Sequence, residues 1–370
     1  MIPLFYPSIP KKKILQELSD TLSGRWIGQG PKVELFERKF GEKMGYKYPV
    51  MVNSGTSALE LAYHLLDLEE DDVVIVPVLN AISGQVGLIR RRCKIVFCDI
   101  EKSTLNIDPI HLEKLLNKHK AQAVVGVHLG GIHFNRRVNL VCKKYKVPLI
   151  VDSAQYPATT AGDYICYSFQ AIKHITTADG GMLVVSKRQE YQRAKALRWF
   201  GIPRKSKNSS QTRQKLSKAR GRSSWKVREV TNELKEAGYK YQPTDVDACF
   251  ALAAWPDLDR VIECRKQLAK EYFKGLKAVK GVQIIAADTY WLLTILAKKR
   301  DQLANYLTKK GVETNLVHIR NDSYKIFGSR RLNLPNMNWV ERRYLCLPLN
   351  GEVKKADVSY ICRSIRKFYD

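Results

Sequence analysis

The sequence predicts an α/β protein built on a mainly parallel sheet, and two observations lead to this prediction. Short apolar runs rich in valine and isoleucine alternate with amphipathic segments of helical period through the first half of the chain. Strands and helices that alternate in this way are joined by right-handed crossovers, which give a parallel sheet with helices on both faces. The chain also has 370 residues, more than one hydrophobic core usually supports, so a second domain is expected.

Apolar residues at helical spacing predict the first helices at residues 11–22 and 33–40. The β-like runs that follow predict the strands of the sheet, at residues 48–52, 73–77, 94–98, 123–127, 147–151, 162–169 and 182–185. Further helices are predicted among them, at residues 108–118, 136–145 and 189–199. Ligands bind such sheets at the carboxyl ends of the strands, and four polar side chains fall there: Asn53, Asp99, His128 and Asp152.

A smaller C-terminal α+β domain is predicted for residues 244–370, after a large domain of residues 1–243. Apolar periodicity in this second part predicts helices at residues 246–254, 258–276, 300–310 and 358–368. One β-like run lies among them, at residues 290–296. The segment 314–324 is polar and has no helical period, so it is predicted to be a loop.

The charge is the unusual bulk property. Lysine and arginine number 63 against 36 acidic residues, a formal net charge of +27. Such a field attracts nucleic acid, anionic membranes or phosphorylated substrates, but a lysine-rich composition explains it equally well. Residues 203–228 are strongly basic and predict a surface insertion. This insertion could hold the diphosphate of a nucleotide-linked sugar, contact nucleic acid or simply be solvated, and these alternatives stay open.

The cysteines and the N-terminus bear on the compartment. Eight cysteines are scattered without a CxxC pair or regular spacing, which argues against a disulfide framework and against a zinc site. No long apolar run precedes the lysines at 11–13, so neither a secretory signal nor a membrane span is predicted. We therefore expect a cytoplasmic protein with free thiols, no metal site and no membrane contact.

A lysine near the middle of the chain carries the candidate chemistry. Lys173 lies between a strand-like segment that ends in Ser168 and a Thr-Thr-Ala-Asp-Gly-Gly turn at residues 176–181. A lysine amine can form a Schiff base with an aldehyde cofactor such as pyridoxal phosphate (PLP). A single lysine means little in so basic a chain, so this interpretation depends on two further motifs.

The first motif is a candidate phosphate site at residues 53–59, Asn-Ser-Gly-Thr-Ser-Ala-Leu. It follows a predicted strand and opens a helix, whose first N–H groups have no partner within the helix. These N–H groups at Gly55 and beyond can bind a phosphate dianion together with the hydroxyls of Thr56 and Ser57. The alternative is an ordinary serine or threonine helix cap.

The second motif is Asp152, which closes the apolar run 148–151. A carboxylate at that point is costly to bury without a partner. The protonated pyridine nitrogen of PLP would be a suitable partner, because the ion pair keeps the ring cationic and able to accept electrons. The alternative is an aspartate that caps the next turn.

Together, the motifs at 53–59, 152–155 and 168–181 resemble those of the DegT/StrS-type sugar aminotransferases, which are PLP enzymes of fold type I. The resemblance continues to the Leu-Pro-Leu at 347–349 and so covers nearly the whole chain. It implies a large domain with a seven-stranded sheet, and a homodimer with shared active sites. It also implies that a keto-sugar linked to a nucleotide diphosphate becomes an amino sugar, with glutamate as the expected amino donor.

The resemblance implies a role for each residue of the site. Lys173 would bind PLP and move a proton, Asp152 would pair with the pyridinium, and Gln155 would contact the phenolic oxygen of the ring. The phosphate would be bound by the 55–57 turn, by Ser168 and, across the dimer, by Lys240. Three residues of the polar segment would approach the substrate, and the alternative is that they are buried structural polar groups: His318, Arg320 and Tyr324.

Two positions depart from the family pattern. Lys240 stands where the family has an asparagine, and Ala81 stands where an aromatic ring usually stacks on PLP; His128 is a candidate substitute for that ring. His174 follows the lysine, and a related branch of sugar dehydratases has histidine at the lysine position, but the Thr-Thr-x-x-Gly-Gly spacing assigns the cofactor to Lys173. Two other functions remain as alternatives: a nucleic-acid-associated enzyme or accessory factor, and a PLP-binding regulator without turnover.

Overall fold

The computed structural model describes residues 1–203 and 234–370. The basic insertion predicted at 203–228 therefore lies, except for Pro203, outside the described residues. Within the two described ranges, no helix is both long enough and apolar enough to cross a membrane. All eight cysteines of the chain fall in these ranges and are free thiols.

The large domain begins with two helices, α1 (Lys11–Leu22) and α2 (Pro31–Met44). Its strands are β1 (Tyr48–Val52), β2 (Val73–Pro77), β3 (Lys94–Cys98), β4 (Ala121–Val127), β5 (Leu149–Asp152), β6 (Tyr164–Ser168) and β7 (Gly181–Val185). The helices among and after them are α3 (Gly55–Leu65), α4 (Ser83–Arg90), α5 (Pro109–Lys118), α6 (Arg137–Tyr145) and α7 (Arg188–Leu197).

The seven strands form one sheet in the order β1-β7-β6-β5-β4-β2-β3. Strands β6, β5, β4, β2 and β3 are parallel, and β7 is antiparallel to both of its neighbours. The loop between β6 and β7 contains no helix, so β7 returns beside β6 without the crossover that a parallel pair needs. The mainly parallel sheet predicted from the alternating pattern is thus confirmed.

Both faces of this sheet are buried. Val74 and Val76 of β2 pack into one apolar cluster with α3, whereas Ile75 packs into a second cluster with α2 and α6. Alternate residues of a strand point to opposite faces, so a strand covered on both sides reads as a continuous apolar run. This is why the strands were visible in the sequence as unbroken runs of valine and isoleucine.

The C-terminal part contains helices α8 (Asp245–Ala254), α9 (Leu258–Leu276), α10 (Arg300–Lys309), α11 (Pro335–Glu341) and α12 (Lys355–Tyr369). Its antiparallel sheet has the order β10-β9-β8, with strands β8 (Val282–Ile284), β9 (Leu293–Ala297) and β10 (Tyr344–Leu347). Of these strands, the sequence indicated only β9, as part of the β-like run at residues 290–296.

Helix α8 packs on the two N-terminal helices. The Asp245 carboxylate accepts hydrogen bonds from the backbone N–H groups of Gly30 and Val33, at 2.9 and 3.0 Å, and so caps the start of α2. The predicted domain boundary after residue 243 stays a prediction.

Candidate active site

The predicted motifs meet at one edge of the large sheet. Gly181, the first residue of β7, pairs with Val52 at the end of β1 and with Ser168 at the end of β6. Asp152 is the last residue of β5, the neighbour of β6. Carboxyl ends of parallel strands share an edge, so the phosphate motif, the acid and the lysine loop, which begins after Ser168, are brought together there.

Lys173 lies in the loop between β6 and β7, and its side chain is partly buried. Its Nζ is 4.2 Å from the ring centroid of Trp291. Burial lowers the pKa of Lys173 to about 8, and the nearby Asp152 carboxylate opposes this change. An amine with a pKa near neutrality can both accept and release a proton at physiological pH.

Asp152 is buried, with 4% of its surface exposed. Its Oδ1 accepts a hydrogen bond of 3.0 Å from the Ala154 backbone N–H. Burial raises the pKa of Asp152, and Ala154, Lys173 and the Asn80 amide offset only part of this effect. The Asn80 Nδ2 is buried, and it makes no hydrogen bond of full geometry within the described residues. The site therefore holds a carboxylate that would be stabilised by a further cationic partner.

The start of α3 combines a helix cap with a candidate phosphate-binding edge. Ser54 is the cap, and its Oγ accepts from the Ser57 N–H at 3.0 Å. The Ser57 hydroxyl donates to Asn53 Oδ1 at 2.7 Å. The capping alternative is thus correct for Ser54, but it satisfies only the third N–H of the helix. The N–H groups of Gly55 and Thr56 point out of the N-terminus, where an anion binds.

Two glycines allow this close assembly. A Cβ on Gly55 would lie 2.8 Å from the Ser168 Cβ, so the Ser168 side chain sits against the helix start. A Cβ on Gly181 would lie 2.5 Å from the Ser54 carbonyl oxygen and 2.7 Å from the Gly55 nitrogen. The two contacts at Gly181 are with backbone atoms, which cannot move away from an added Cβ as the end of a flexible side chain could.

We predict that Gly181→Ala weakens PLP binding by at least tenfold and lowers the melting temperature, because the added methyl group displaces the start of α3. Titration of the protein with PLP, followed by fluorescence quenching, measures the affinity. Gly351→Ala is the matched control, since no atom lies within 4 Å of a Cβ at Gly351. Unchanged PLP affinity in Gly181→Ala would contradict the assignment of this turn.

Gln155 links the site to the C-terminal part of the chain. Its Oε1 accepts from the Gly130 N–H at 2.6 Å, so its amide nitrogen faces His318 Nε2 at 2.8 Å and donates to it. Burial, together with the charge of Lys173, lowers the pKa of His318 to about 3. His318 is therefore neutral, with its proton on Nδ1.

The other two predicted substrate residues differ from His318. Arg320 is 2% exposed and forms a bidentate ion pair with Asp322, at 2.7 and 2.6 Å. Its remaining N–H groups donate to Asn338, Glu341 and Leu332. All five N–H groups are thus engaged within the chain, which favours the structural alternative for Arg320. Tyr324 is partly buried, and its contact with a substrate stays a prediction.

Lys240 is exposed and lies beside the candidate phosphate-binding turn of its own chain. Its carbonyl oxygen accepts from Asn53 Nδ2 at 3.3 Å. Its Nζ lies over the Trp199 ring, 4.2 Å from the centroid. The contact of Lys240 with phosphate, which the resemblance places across a dimer, stays a prediction.

The histidines considered at the sequence level have other partners. His128 Nδ1 accepts from the Phe134 N–H, its Nε2 lies 2.9 Å from Thr160 Oγ1, and its ring stacks on Phe134. Because the ring is built into this buried cluster, the suggestion that His128 replaces an aromatic at Ala81 is not supported. His174 Nε2 donates to the Thr289 carbonyl at 3.0 Å, which leaves Lys173 as the side chain that faces Asp152.

Sequence reasoning missed Trp291, which precedes β9 and covers Lys173. The β-like run at 290–296 included it only as a strand residue. Trp291 and Lys173 are 118 residues apart in the sequence, so no local sequence pattern could have predicted their contact. Asn80 was likewise missed as a neighbour of Asp152, although its place just after β2, at the carboxyl edge of the sheet, is the one available signal.

The comparisons with known proteins identify the family of the chain. The model of the DegT/DnrJ/EryC1/StrS aminotransferase family matches residues 8–366. GDP-perosamine synthase of Escherichia coli O157:H7 is 27% identical over 384 residues, covering 100% of this chain and 98% of that protein. The dTDP-4-dehydro-2,3,6-trideoxy-D-glucose 4-aminotransferase of Saccharopolyspora spinosa is 26% identical over 386 residues, covering 99% of this chain and 96% of that protein.

Among solved structures, the sugar aminotransferase CalS13 from Micromonospora echinospora matches with a TM-score of 0.85 at 25% identity. The match covers 99% of this chain and all of that one. PLP is the cofactor of this family. The family model spans nearly the whole chain, and the structural match extends over both parts of the fold. The chain therefore belongs to the DegT/DnrJ/EryC1/StrS aminotransferase family.

Proposed function

We propose that this protein is a sugar aminotransferase that acts on a keto-sugar linked to a nucleotide diphosphate. An amino acid, glutamate in our proposal, supplies the amino group, and the working form is a homodimer with shared active sites. The observation that carries the proposal is the meeting of Lys173, Asp152 and the start of α3 at one edge of the sheet. The names of the two curated relatives, which refer to GDP- and dTDP-linked sugars, support the substrate class.

The residues at this edge fit PLP. The N–H groups at the start of α3 and the hydroxyls of Thr56 and Ser168 would bind its phosphate. The buried Asp152 carboxylate would pair with its ring nitrogen. Gln155 has one amide hydrogen left after its bond to His318, and this hydrogen would face the phenolic oxygen of the ring. When bound, PLP supplies an electron sink for the carbon that gains or loses a proton.

Lys173 would perform the proton transfers. With burial holding the pKa of its amine at about 8, it would accept a proton from the amino donor and later return one to the sugar carbon. The polar loop with His318 and Tyr324 would line the approach for the sugar. Neutral His318 could take part in hydrogen bonds there without adding positive charge beside Lys173.

We expect purified protein to turn over a nucleotide-linked keto-sugar in a two-step assay. Glutamate is added first, and the PLP absorption band should disappear as the amino group reaches the cofactor. The glutamate is then removed, and a set of GDP-, dTDP- and UDP-linked keto-sugars is added one by one. Return of the band, with the amino sugar found by mass spectrometry, identifies the substrate.

The two alternative functions predict other results, one in this assay and one in a nucleic-acid binding experiment. A PLP-binding regulator would show the band but would not lose it with any amino donor. A nucleic-acid-associated factor would instead bind random duplex DNA or RNA with an affinity that falls steeply as salt increases. Failure of the nucleotide-linked keto-sugars to restore the band would contradict the proposed substrate class.

A further inference from the structure

Trp291 is the side chain around Lys173 to which no role has been assigned above. It is 3% exposed, and its ring centroid lies 4.2 Å from Lys173 Nζ. Its Nε1 donates a hydrogen bond of 3.0 Å to the carbonyl oxygen of Ile172. One indole therefore contacts both the amine of the lysine and the backbone of the residue just before it.

The position of Trp291 is fixed from several sides. Its backbone N–H donates to the Gly130 carbonyl at 3.1 Å, and its own carbonyl accepts from Nη1 of the buried Arg265. The ring of His318 lies nearly parallel to the indole, with 6.2 Å between centroids and an angle of 15° between planes. A ring packed in this way cannot swing out of the site without breaking these contacts.

We infer that Trp291 is a positioning residue for Lys173, through both its ring face and its N–H. The face holds the Nζ while Lys173 carries a proton, and the N–H fixes the loop on which the lysine stands. The inference rests on the proposed function, in which the Lys173 amine accepts a proton and later returns one. An amine that is held in one place between these steps does not have to find the reacting carbon again.

The physical basis is the attraction between an ammonium group and the electron-rich face of an indole, which strengthens when water is excluded. Burial disfavours the charged form of Lys173, and the indole compensates part of that cost. Without the indole, the amine should hold its proton less firmly. The Ile172 contact acts separately, because it restrains the backbone and does not depend on the charge of the lysine.

The test measures the pKa of Lys173 in the full-length, cofactor-free protein, by the pH dependence of its reaction with acetic anhydride followed by peptide mass spectrometry. We expect Trp291→Leu to lower this pKa by about 0.4 to 1.5 pH units, which corresponds to the usual strength of such a contact. Trp291→Phe keeps an aromatic face, so the pKa of Lys173 should fall less in this variant than in Trp291→Leu. A Trp291→Leu protein with the wild-type pKa of Lys173 overturns the inference.

Trp291→Phe also tests the second contact, since it keeps a ring but lacks the N–H. Hydrogen exchange of the backbone amides at residues 170–177 should become faster in this variant. If Trp291→Leu does not fold, this measurement decides alone, and unchanged exchange rejects the inference. Trp339→Leu is the matched control, because it removes a tryptophan that contacts the Arg343 cation at 4.3 Å elsewhere in the fold; both readouts should stay at wild-type values.

Neither measurement uses turnover, so the outcome is independent of the sugar assay. If no keto-sugar is converted but the pKa of Lys173 falls in Trp291→Leu, the substrate proposal fails and the positioning role stands. If sugars are converted and the pKa is unchanged, only the role of Trp291 is lost.

Discussion

Replacing Lys173 with alanine will abolish turnover, by more than about 10⁴-fold, and will remove the absorption band of PLP bonded to the protein. Alanine supplies neither an amine to bond the cofactor nor a base to move the proton. The neighbouring His174 cannot take over, because its Nε2 is bonded to the Thr289 carbonyl and burial lowers its pKa well below the usual value. Absorption spectra and the two-step sugar assay measure both losses.

The same variant gives a stability test with a defined sign. Burial lowers the pKa of Lys173 from 10.5 to about 8 in the folded protein, whereas the unfolded chain keeps the ordinary value. Between these pH values the unfolded state binds more protons, so the wild-type cofactor-free protein gains stability as pH rises. Lys173→Ala lacks this term. The free energy of unfolding of Lys173→Ala, relative to that of the wild type, should therefore be highest below about pH 8. This difference should decrease as the pH rises toward 10.5.

Chemical denaturation of the cofactor-free proteins at several pH values measures this difference. Lys143→Ala, which removes an exposed lysine from α6, is the matched control and should show wild-type turnover. If Lys173→Ala kept the absorption band and normal activity, the assignment of the cofactor to this residue would be wrong.

Asp152→Asn should retain the fold but lose about 10²- to 10⁴-fold in turnover. Removing one partner of a buried ion pair generally costs roughly 3–5 kcal/mol, and each 1.36 kcal/mol corresponds to a factor of about ten in rate. The asparagine has nearly the same shape but cannot hold a protonated ring nitrogen by charge. The loss should therefore appear in kcat, with substrate affinity much less affected.

Asp163→Asn provides the control for this charge change. Asp163 is exposed and lies at the other end of β5, where its Oδ2 accepts from the Leu149 N–H at 2.8 Å. The net charge changes equally in both variants, so wild-type turnover in Asp163→Asn would assign the effect to the position of Asp152. Near-normal kcat in Asp152→Asn would show that the ring nitrogen is not held by this carboxylate.

Local patterns in the sequence were sufficient for the architecture and for the three motifs of the site. The continuous apolar runs predicted the strands because a two-sided sheet buries every side chain of a strand. The order of strand, small-residue turn and helix at residues 48–61 then predicted a phosphate site at the carboxyl edge. Lys173 and Asp152 followed from their positions at the ends of neighbouring apolar runs.

Contacts between distant parts of the chain were not predictable in the same way. The bidentate partner of Arg320 is only two residues away, yet burial was needed to reveal that all its N–H groups are used. Helix α8 was assigned to the small domain from its sequence position. Its packing on α1 and α2 of the large domain became visible only in the structure. His128 was considered a substitute for the aromatic ring at Ala81 because it follows a predicted strand. In the structure its ring stacks on Phe134 instead.

The sequence by itself determined the α/β class, the edge of the sheet where the candidate site lies and the residues that we propose carry its chemistry. Only the tertiary structure decided the environment of Lys173. Trp291 lies over its amine, His318 is hydrogen-bonded to Gln155, and Asp152 is buried with a raised pKa. The physical reason is that periodicity and turn chemistry are properties of neighbouring residues. Burial and charge at one atom depend on side chains that only the folded chain brings together.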